Sequence, residues 1–437
     1  MNEPYDIAII GSGPAGCTAA LRASELGLHA VVLERDSHPR FHVGESFLPQ
    51  TLELLRSMGL ESRLKALPHT TKPGVSLMFA DDTVPLDLSF RLGLDRSTCK
   101  EAFNIARAPF DAMLADAARD AGTEVRENTV VTDIVRLEDG DCELATSNGT
   151  VRSHFVIDAS GQATLVGRKL GHREPIPGLR KVSYFGHFEN VMRRPGEQGG
   201  MPVFVLCKEG WFWSIPLDET VTSIGVVLDI DASRRIDVPH HAKLRWAIER
   251  CPAMSQLMEQ SDLSAPTHTC ADYSYRCDPM TGPGYFLVGD AAIFIDPVFS
   301  SGVCIAMMSA RQAVDAIVEL RAGASATRAR RRYARNITRT SRTFLRLVHG
   351  FYTQEFREIF LQPDSPLGVH GAVMHVLGGY VFPRMTFPVR WRMELFYAFV
   401  RLQRHGLLAP RRIPYSLFHN GQAQSTTSQR LQGAEQA

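Results

Sequence analysis

An α/β fold is predicted, with an antiparallel β-sheet inserted into it and a C-terminal α-helical region at its end. Three observations predict it. A short apolar run, Tyr5–Ile10, leads through a glycine-rich turn into a helical pattern. Between Lys181 and Asp229, runs such as 202–206 and 221–228 alternate with period two, as in antiparallel strands with one buried face. From Gly302 to Ala322, and again over about 328–405, apolar residues recur at helical spacing. The chain has 437 residues, 44% apolar and 22% charged, which suits a globular protein with a sizeable core and excludes disordered and fibrous classes. Lys plus Arg is 48 and Asp plus Glu 47, so there is no basic field of the kind that binds nucleic acid. The eight cysteines are scattered, without C-x-x-C or zinc spacing, and reduced thiols with no metal site are expected. Residues 1–5 show no cationic segment or cleavage site, so a cytoplasmic location is expected.

Taken in order, the first element is the most informative. Gly11-Ser12-Gly13-Pro14-Ala15-Gly16 is G-x-G-x-x-G between a strand and a helix, the Rossmann-like setting in which helix N-terminal amides and a close backbone meet a pyrophosphate. A second strand, 29–33, ends in Glu34, at the spacing where a carboxylate accepts hydrogen bonds from ribose hydroxyls. Together they predict a bound dinucleotide.

Its identity follows from a resemblance. Arg40-Phe41-His42-Val43-Gly44-Glu45-Ser46 is similar to the R-x-x-x-G-E-S segment of flavin-dependent halogenases, which belong to the wider group of para-hydroxybenzoate hydroxylase-like flavoproteins. Other marks of that group are Arg107 before a helix, Asp158-Ala159-Ser160-Gly161 after a strand, and Gly289-Asp290. The resemblance implies FAD, with Arg35, Arg40, Gly44, Glu45 and Ser46 joining the glycine turn and Glu34 in the cofactor site. It also implies that Asp290 holds the ribityl chain, that Arg107 contacts the cofactor from the opposite side, and that Val131 touches the adenine through its backbone. The FAD-binding domain is then discontinuous, over 1–75, 100–170 and 270–325. A substrate-binding β-sheet region covers 76–99 and 171–269, a helical region 328–415, and a disordered tail 419–437, which is rich in Gln, Ser and Thr.

Three further segments concern chemistry. Gly210-Trp211-Phe212-Trp213-Ser214-Ile215-Pro216 contains W-x-W-x-I-P, the halogenase signature; period two puts both indoles on one strand face, where they can line a dry passage and keep substrate off the flavin. Phe294-Ile295-Asp296-Pro297-Val298-Phe299-Ser300-Ser301-Gly302 resembles the F-x-x-P-x-x-S-x-G segment of halogenases acting on phenols and pyrroles. It implies Pro297 and Gly302 at the flavin and a halide on the amides of Ser301 and Gly302, at a helix N-terminus. Lys72 falls where these halogenases carry their essential lysine, about 25 residues beyond Gly-Glu-Ser; desolvation that lowers its pKa favours a haloamine. Pro73 departs from the family pattern after that lysine. Phe299 stands where tryptophan halogenases place a glutamate, so free tryptophan is not the expected substrate. Ala271-Asp272-Tyr273-Ser274-Tyr275 is also similar to a strand of the pyrrole and phenol halogenases.

The resemblance implies that reduced FAD, dioxygen and chloride or bromide give hypohalous acid, which Lys72 directs onto an electron-rich phenol or pyrrole in secondary metabolite biosynthesis. One dinucleotide fingerprint and no second accord with a flavin reductase that uses NAD(P)H to supply the reduced cofactor. Alternatives are a FAD-dependent monooxygenase or dehydrogenase on the same scaffold, a geranylgeranyl-reductase-like reductase with its C-terminal helices over an apolar tunnel, and a non-catalytic flavoprotein. The stretch from Arg328 to Arg346 holds eight arginines and no acid. It is either a solvated face or a dock for an acidic carrier protein bearing a tethered substrate. The apolar run 367–382, interrupted by His370, His375 and glycines, reads as a buried helix, with membrane contact not expected.

Overall fold

The computed structural model describes residues 3–363, 365–382 and 384–418; the tail 419–437, expected to be disordered, lies outside them. Its main elements are β1 (Tyr5–Ile10), α1 (Pro14–Glu25), β2 (Ala30–Leu33), β3 (Thr70–Lys72), β4 (Gly74–Phe79), α2 (Arg107–Asp120), β5 (Gly149–Asp158), β6 (Lys181–Glu189), β7 (Val203–Leu206), β8 (Gly210–Pro216), β9 (Thr222–Asp229), β10 (Tyr285–Leu287), α3 (Gly302–Arg321), α4 (Ala326–Phe351), α5 (Val369–Leu377) and α6 (Phe387–Gln403).

Hydrophobic strands covered on both faces pair in parallel, as expected where helices flank a sheet. The first sheet has β10, β5, β1 and β2 as consecutive parallel neighbours, extended by Glu124–Arg126 beside β2. Residues 7–10 are buried, and α1 packs on α3 and α2. Ile10 is in register with both Leu33 and Asp158, so the strand ends release Gly11, Glu34, Ala159 and Val288 along one edge, where ligands bind in open α/β sheets. Gly11 has φ +97°, and a Cβ on Gly16 would lie 1.8 Å from the Gly11 carbonyl oxygen. Only glycine lets α1 start this close to β1.

In the second sheet β6, β9, β8 and β7 run antiparallel, while β7 meets β4 in parallel. Trp211, Trp213 and Ile215 of β8 join the cluster shared with the first sheet, and Phe212 joins a separate cluster on the opposite side. The period-two alternation is present, but both faces are buried rather than one. The second face is covered by the short helices Lys243–Glu249 and Pro252–Leu257 and by Leu417.

α4 packs along α3, and α5 pairs with α6. The run 367–382 contains the nine-residue α5, buried over most of its length. Among the described residues no helix is long and apolar enough to cross a membrane.

Candidate active site

A cavity of about 610 Å³ opens at the strand ends of the first sheet and reaches the indole face of the second, a size within the roughly 300–1,000 Å³ of cofactor sites. One end is lined by Gly11, Gly13, Pro14 and Ala15 at the start of α1, with Glu34, Arg35, Arg40 and Val131. Ser12 and Gly16 belong to the same turn but do not line it. Ser12 instead orients Glu34, donating from its amide and from Oγ to Oε2, each at 2.8 Å. Burial pushes the Glu34 carboxyl up, but the Ser12 and Asp36 amides and the Arg40 charge outweigh it and hold the group below its usual range. An ionised acceptor therefore waits at this end. Arg35 is mostly exposed and pairs with Asp36 at 3.1 Å.

The wall facing α1 is the segment from Arg40 to Ser46, fixed by Arg107. That buried guanidinium makes two 2.8 Å bonds to Asp111 and one of 3.0 Å to the Val43 carbonyl. The Arg107 charge, with burial, lowers His42 to about 4, so its ring is neutral. Gly44, at φ +102°, lets the chain turn here. Glu45 accepts from His187 at 2.7 Å, and Ser46 donates to Asn104 at 2.8 Å.

The far end is built from Asp290, Pro297, Ser300 and Gly302, opposite Trp211, Trp213, Phe204 and Ile215. Burial pushes Asp290 up to about 6, against the pull of Arg107. Ser301 is buried behind Ser300 and does not line the cavity; with Gly302 it opens α3, whose first amides have no helical partner. The two indoles lie with ring centroids 5.8 Å apart. Trp213 donates to Ser223 at 3.1 Å, and its ring fills the space over Gly225, where a Cβ would come within 2.3 Å of it.

Lys72 is not on the cavity lining. It lies at the end of β3, buried, with Nζ 3.0 Å from the Phe47 carbonyl oxygen and 5.6 Å from the centre of the Phe90 ring. Burial alone lowers it to about 7, and it has no ion pair among the described residues. A solvated surface lysine is therefore excluded.

The structure adds residues that the motifs left without a role. Asp296 was visible inside the F-x-x-P segment, yet nothing marked it as buried on the cavity. Tyr352, just beyond α4, links Trp211 to Asp296, and no sequence signal points to it. Phe41 and His268 stack at 4.1 Å on the cavity rim. No metal-binding cluster occurs among the described residues.

The shape and donors fit FAD. A glycine cradle and a helix N-terminus suit the pyrophosphate, ionised Glu34 suits a ribose, and a flat aromatic end suits a tricyclic ring. A family profile described as an FAD binding domain matches residues 4–346. A 1H-pyrrole-2-carbonyl-[peptidyl-carrier protein] chlorinase of Pseudomonas fluorescens is 31% identical over 346 residues, 73% of this chain and 76% of the relative. The structure of the flavin-dependent brominase Bmp2 superposes with TM-score 0.81 at 25% identity, covering 92% of this chain and all of that one. That of a flavoprotein/dehydrogenase from Cytophaga hutchinsonii superposes with TM-score 0.83 at 25% identity, covering 92% and 99%.

Proposed function

The chain belongs to the flavin-dependent halogenases, and on that premise we propose that it chlorinates or brominates a phenol or pyrrole presented on a carrier protein. Family membership favours this over the oxygenase, dehydrogenase and reductase readings. When bound, reduced FAD supplies the electrons with which dioxygen converts halide to hypohalous acid. A separate NAD(P)H-dependent reductase delivers it in that form.

The chain's residues do the rest. Ser301 and Gly302 offer the halide the free amides and positive dipole end of α3. Trp211, Trp213, Phe204 and Ile215 keep water and the aromatic ring away from the flavin. Lys72 receives hypohalous acid and either polarises it by a hydrogen bond or captures the halogen as a haloamine. The observation that carries this reading is Lys72 itself, an amine buried against the Phe47 carbonyl and the Phe90 ring with no ion pair among the described residues, its basicity lowered by burial.

Two features support a tethered substrate. The pyrrole chlorinase relative is named for one. On α4, Arg328, Arg335 and Arg342 recur every seven residues, exposed and, with Arg331, without an ion pair among the described residues. Their neighbours Arg330, Arg332 and Arg346 are matched by Asp139, Glu319 and Glu394. Arg342 and Tyr352 are ten positions apart, about 15 Å at helical rise, a span that a flexible prosthetic arm can cross. The test is turnover of one pyrrole- or phenol-carboxylate panel, free and loaded on a carrier protein. Faster halogenation of the loaded forms is expected, and equal rates would remove the carrier from the proposal.

A further inference from the structure

Halide oxidation consumes a proton. With halide X⁻, the balance is FADH2 + O2 + X⁻ + H⁺ giving FAD + HOX + H2O; flavin and halide each give two electrons, and dioxygen takes four. One dioxygen oxygen leaves as water, and its last proton has to arrive inside a cavity walled by tryptophans. Five acids line the cavity, Glu34, Asp36, Glu45, Asp290 and Asp296, of which Asp36 is exposed and paired with Arg35. Glu34 is held ionised at the α1 end by Ser12 and Arg40. Glu45 is engaged with His187, and Asp290 lies in the field of Arg107. Asp296 differs in what it is bonded to: it adjoins Pro297 at the turn that leads into α3, and a hydrogen-bonded tyrosine ties its carboxyl to the wall tryptophan Trp211.

Its surroundings are built from five parts of the chain. The Val298 amide donates to Oδ1 at 3.0 Å, and the Tyr352 hydroxyl donates to Oδ2 at 2.8 Å. Trp211 Nε1 donates to that hydroxyl at 3.0 Å, so the carboxyl, the tyrosine and the wall tryptophan form one chain of hydrogen bonds. Lys181 of β6 lies 3.7 Å from the centre of the Tyr352 ring and is paired with Asp229. Tyr273, fully buried, also faces this group.

We propose that Asp296 donates the proton consumed in halide oxidation, and that Tyr352 is the positioning residue that ties it to Trp211. This rests on the halogenase reading, with dioxygen as oxidant. The O–H bond of the Asp296 carboxyl breaks and a new O–H bond forms on the departing oxygen; the carboxylate left behind is reprotonated from water in the cavity. Burial raises Asp296 to about 6, against the opposing pull of the Val298 and Tyr352 hydrogen bonds and the Lys181 charge. The group therefore exchanges its proton near neutrality, as a general acid must.

The test compares wild type, Asp296→Asn and Tyr352→Phe, each saturated with FAD and supplied with reductase, NADH and bromide. Hypohalous acid and hydrogen peroxide are measured per dioxygen consumed. Asp296→Asn should bind FAD as wild type does but form hypohalous acid about 100-fold more slowly, as for loss of a general acid, with dioxygen diverted to peroxide. In wild type the rate should fall as pH rises above about 6. In Tyr352→Phe that limb should move to higher pH, because the hydrogen bond it removes favours the carboxylate. A second readout uses the flavin-free proteins: Asp290 and Asp296 are both pushed up to about 6, so infrared difference spectra between acid and neutral pH should show buried carboxylic acid absorption from each, with an Asp296 band that is lost in Asp296→Asn and kept in Asp290→Asn. Wild-type coupling and an unchanged pH limb in Asp296→Asn would overturn the proposal, as would absence of that band; an unshifted limb in Tyr352→Phe would remove the tyrosine's part. Should wild type form no hypohalous acid, the halogenase reading falls, while the infrared arm still decides whether Asp296 carries a proton.

Discussion

Lys72→Met separates the cost of a buried amine from its use. The lysine is fully buried, its one hydrogen bond among the described residues runs to the Phe47 carbonyl, and burial lowers it from 10.5 to about 7. That is 3.5 pH units, or about 5 kcal/mol at 1.36 kcal/mol per unit. The folded-state value lies below the unfolded one, so between pH 7 and 10.5 the unfolded chain binds more protons and stability rises with pH. Below pH 7 the whole penalty is present, and above 10.5 it has gone. Methionine keeps the volume and removes the charge but leaves the Phe47 carbonyl without its donor, at about 1–3 kcal/mol. The net expectation is stabilisation by about 2–4 kcal/mol at pH 6 to 7, shrinking to nothing or reversing by pH 10, together with loss of halogenation. Urea unfolding of both proteins at these pH values is the assay. A destabilised Lys72→Met at pH 6.5, or a difference that does not change with pH, would refute the reasoning.

Other substitutions probe the rest of the site. Gly225→Ala sets a methyl 2.3 Å from the Trp213 ring and should push that indole toward the cavity; about 1–3 kcal/mol of stability should be lost, with halogenation falling more than FAD binding as read by flavin fluorescence. Arg107→Met leaves buried Asp111 with Arg40 at 3.6 Å in place of its two short bonds and should cost up to about 3–5 kcal/mol along with FAD affinity. Arg107→Met/Asp111→Leu should regain much of the stability but not the affinity, since the Val43 carbonyl stays unheld; thermal unfolding with and without FAD checks both. Charge reversal at Arg328, Arg335 and Arg342 should raise KM for a carrier-bound substrate, most at low salt, and leave turnover of a small free phenol unchanged.

The parts of this molecule that local physics dictates were legible in the sequence. β1, its glycine turn and Glu34 announce a dinucleotide because each needs only its near neighbours to be placed. The Trp211 and Trp213 pair shares a face for the same reason, since strand alternation is local. What stayed hidden depends on partners far along the chain. β4 pairs in parallel with β7 across more than a hundred residues, and the slot for Trp213 is made by Gly225 on the next strand. The second face of that sheet is buried by elements beyond residue 240, so an alternating pattern read as half-exposed is covered twice. Lys72 showed its position by motif, but its burial comes from packing against Phe47 and Phe90. Asp296 looked like one more turn residue until Tyr352, 56 positions later, was found bonded to it.

The central claim is that halogen transfer runs through Lys72. Its most direct test is mass spectrometry of reactions containing the protein, FAD, a flavin reductase, NADH and bromide, with phenols and pyrroles free and carrier-bound, beside Lys72→Ala. The account predicts the twin bromine isotope pattern on the aromatic product with wild type and its loss with Lys72→Ala, while that variant still consumes dioxygen and releases hypobromous acid. Brominated product at the wild-type rate from Lys72→Ala, or oxygen insertion without bromine from wild type, would contradict it.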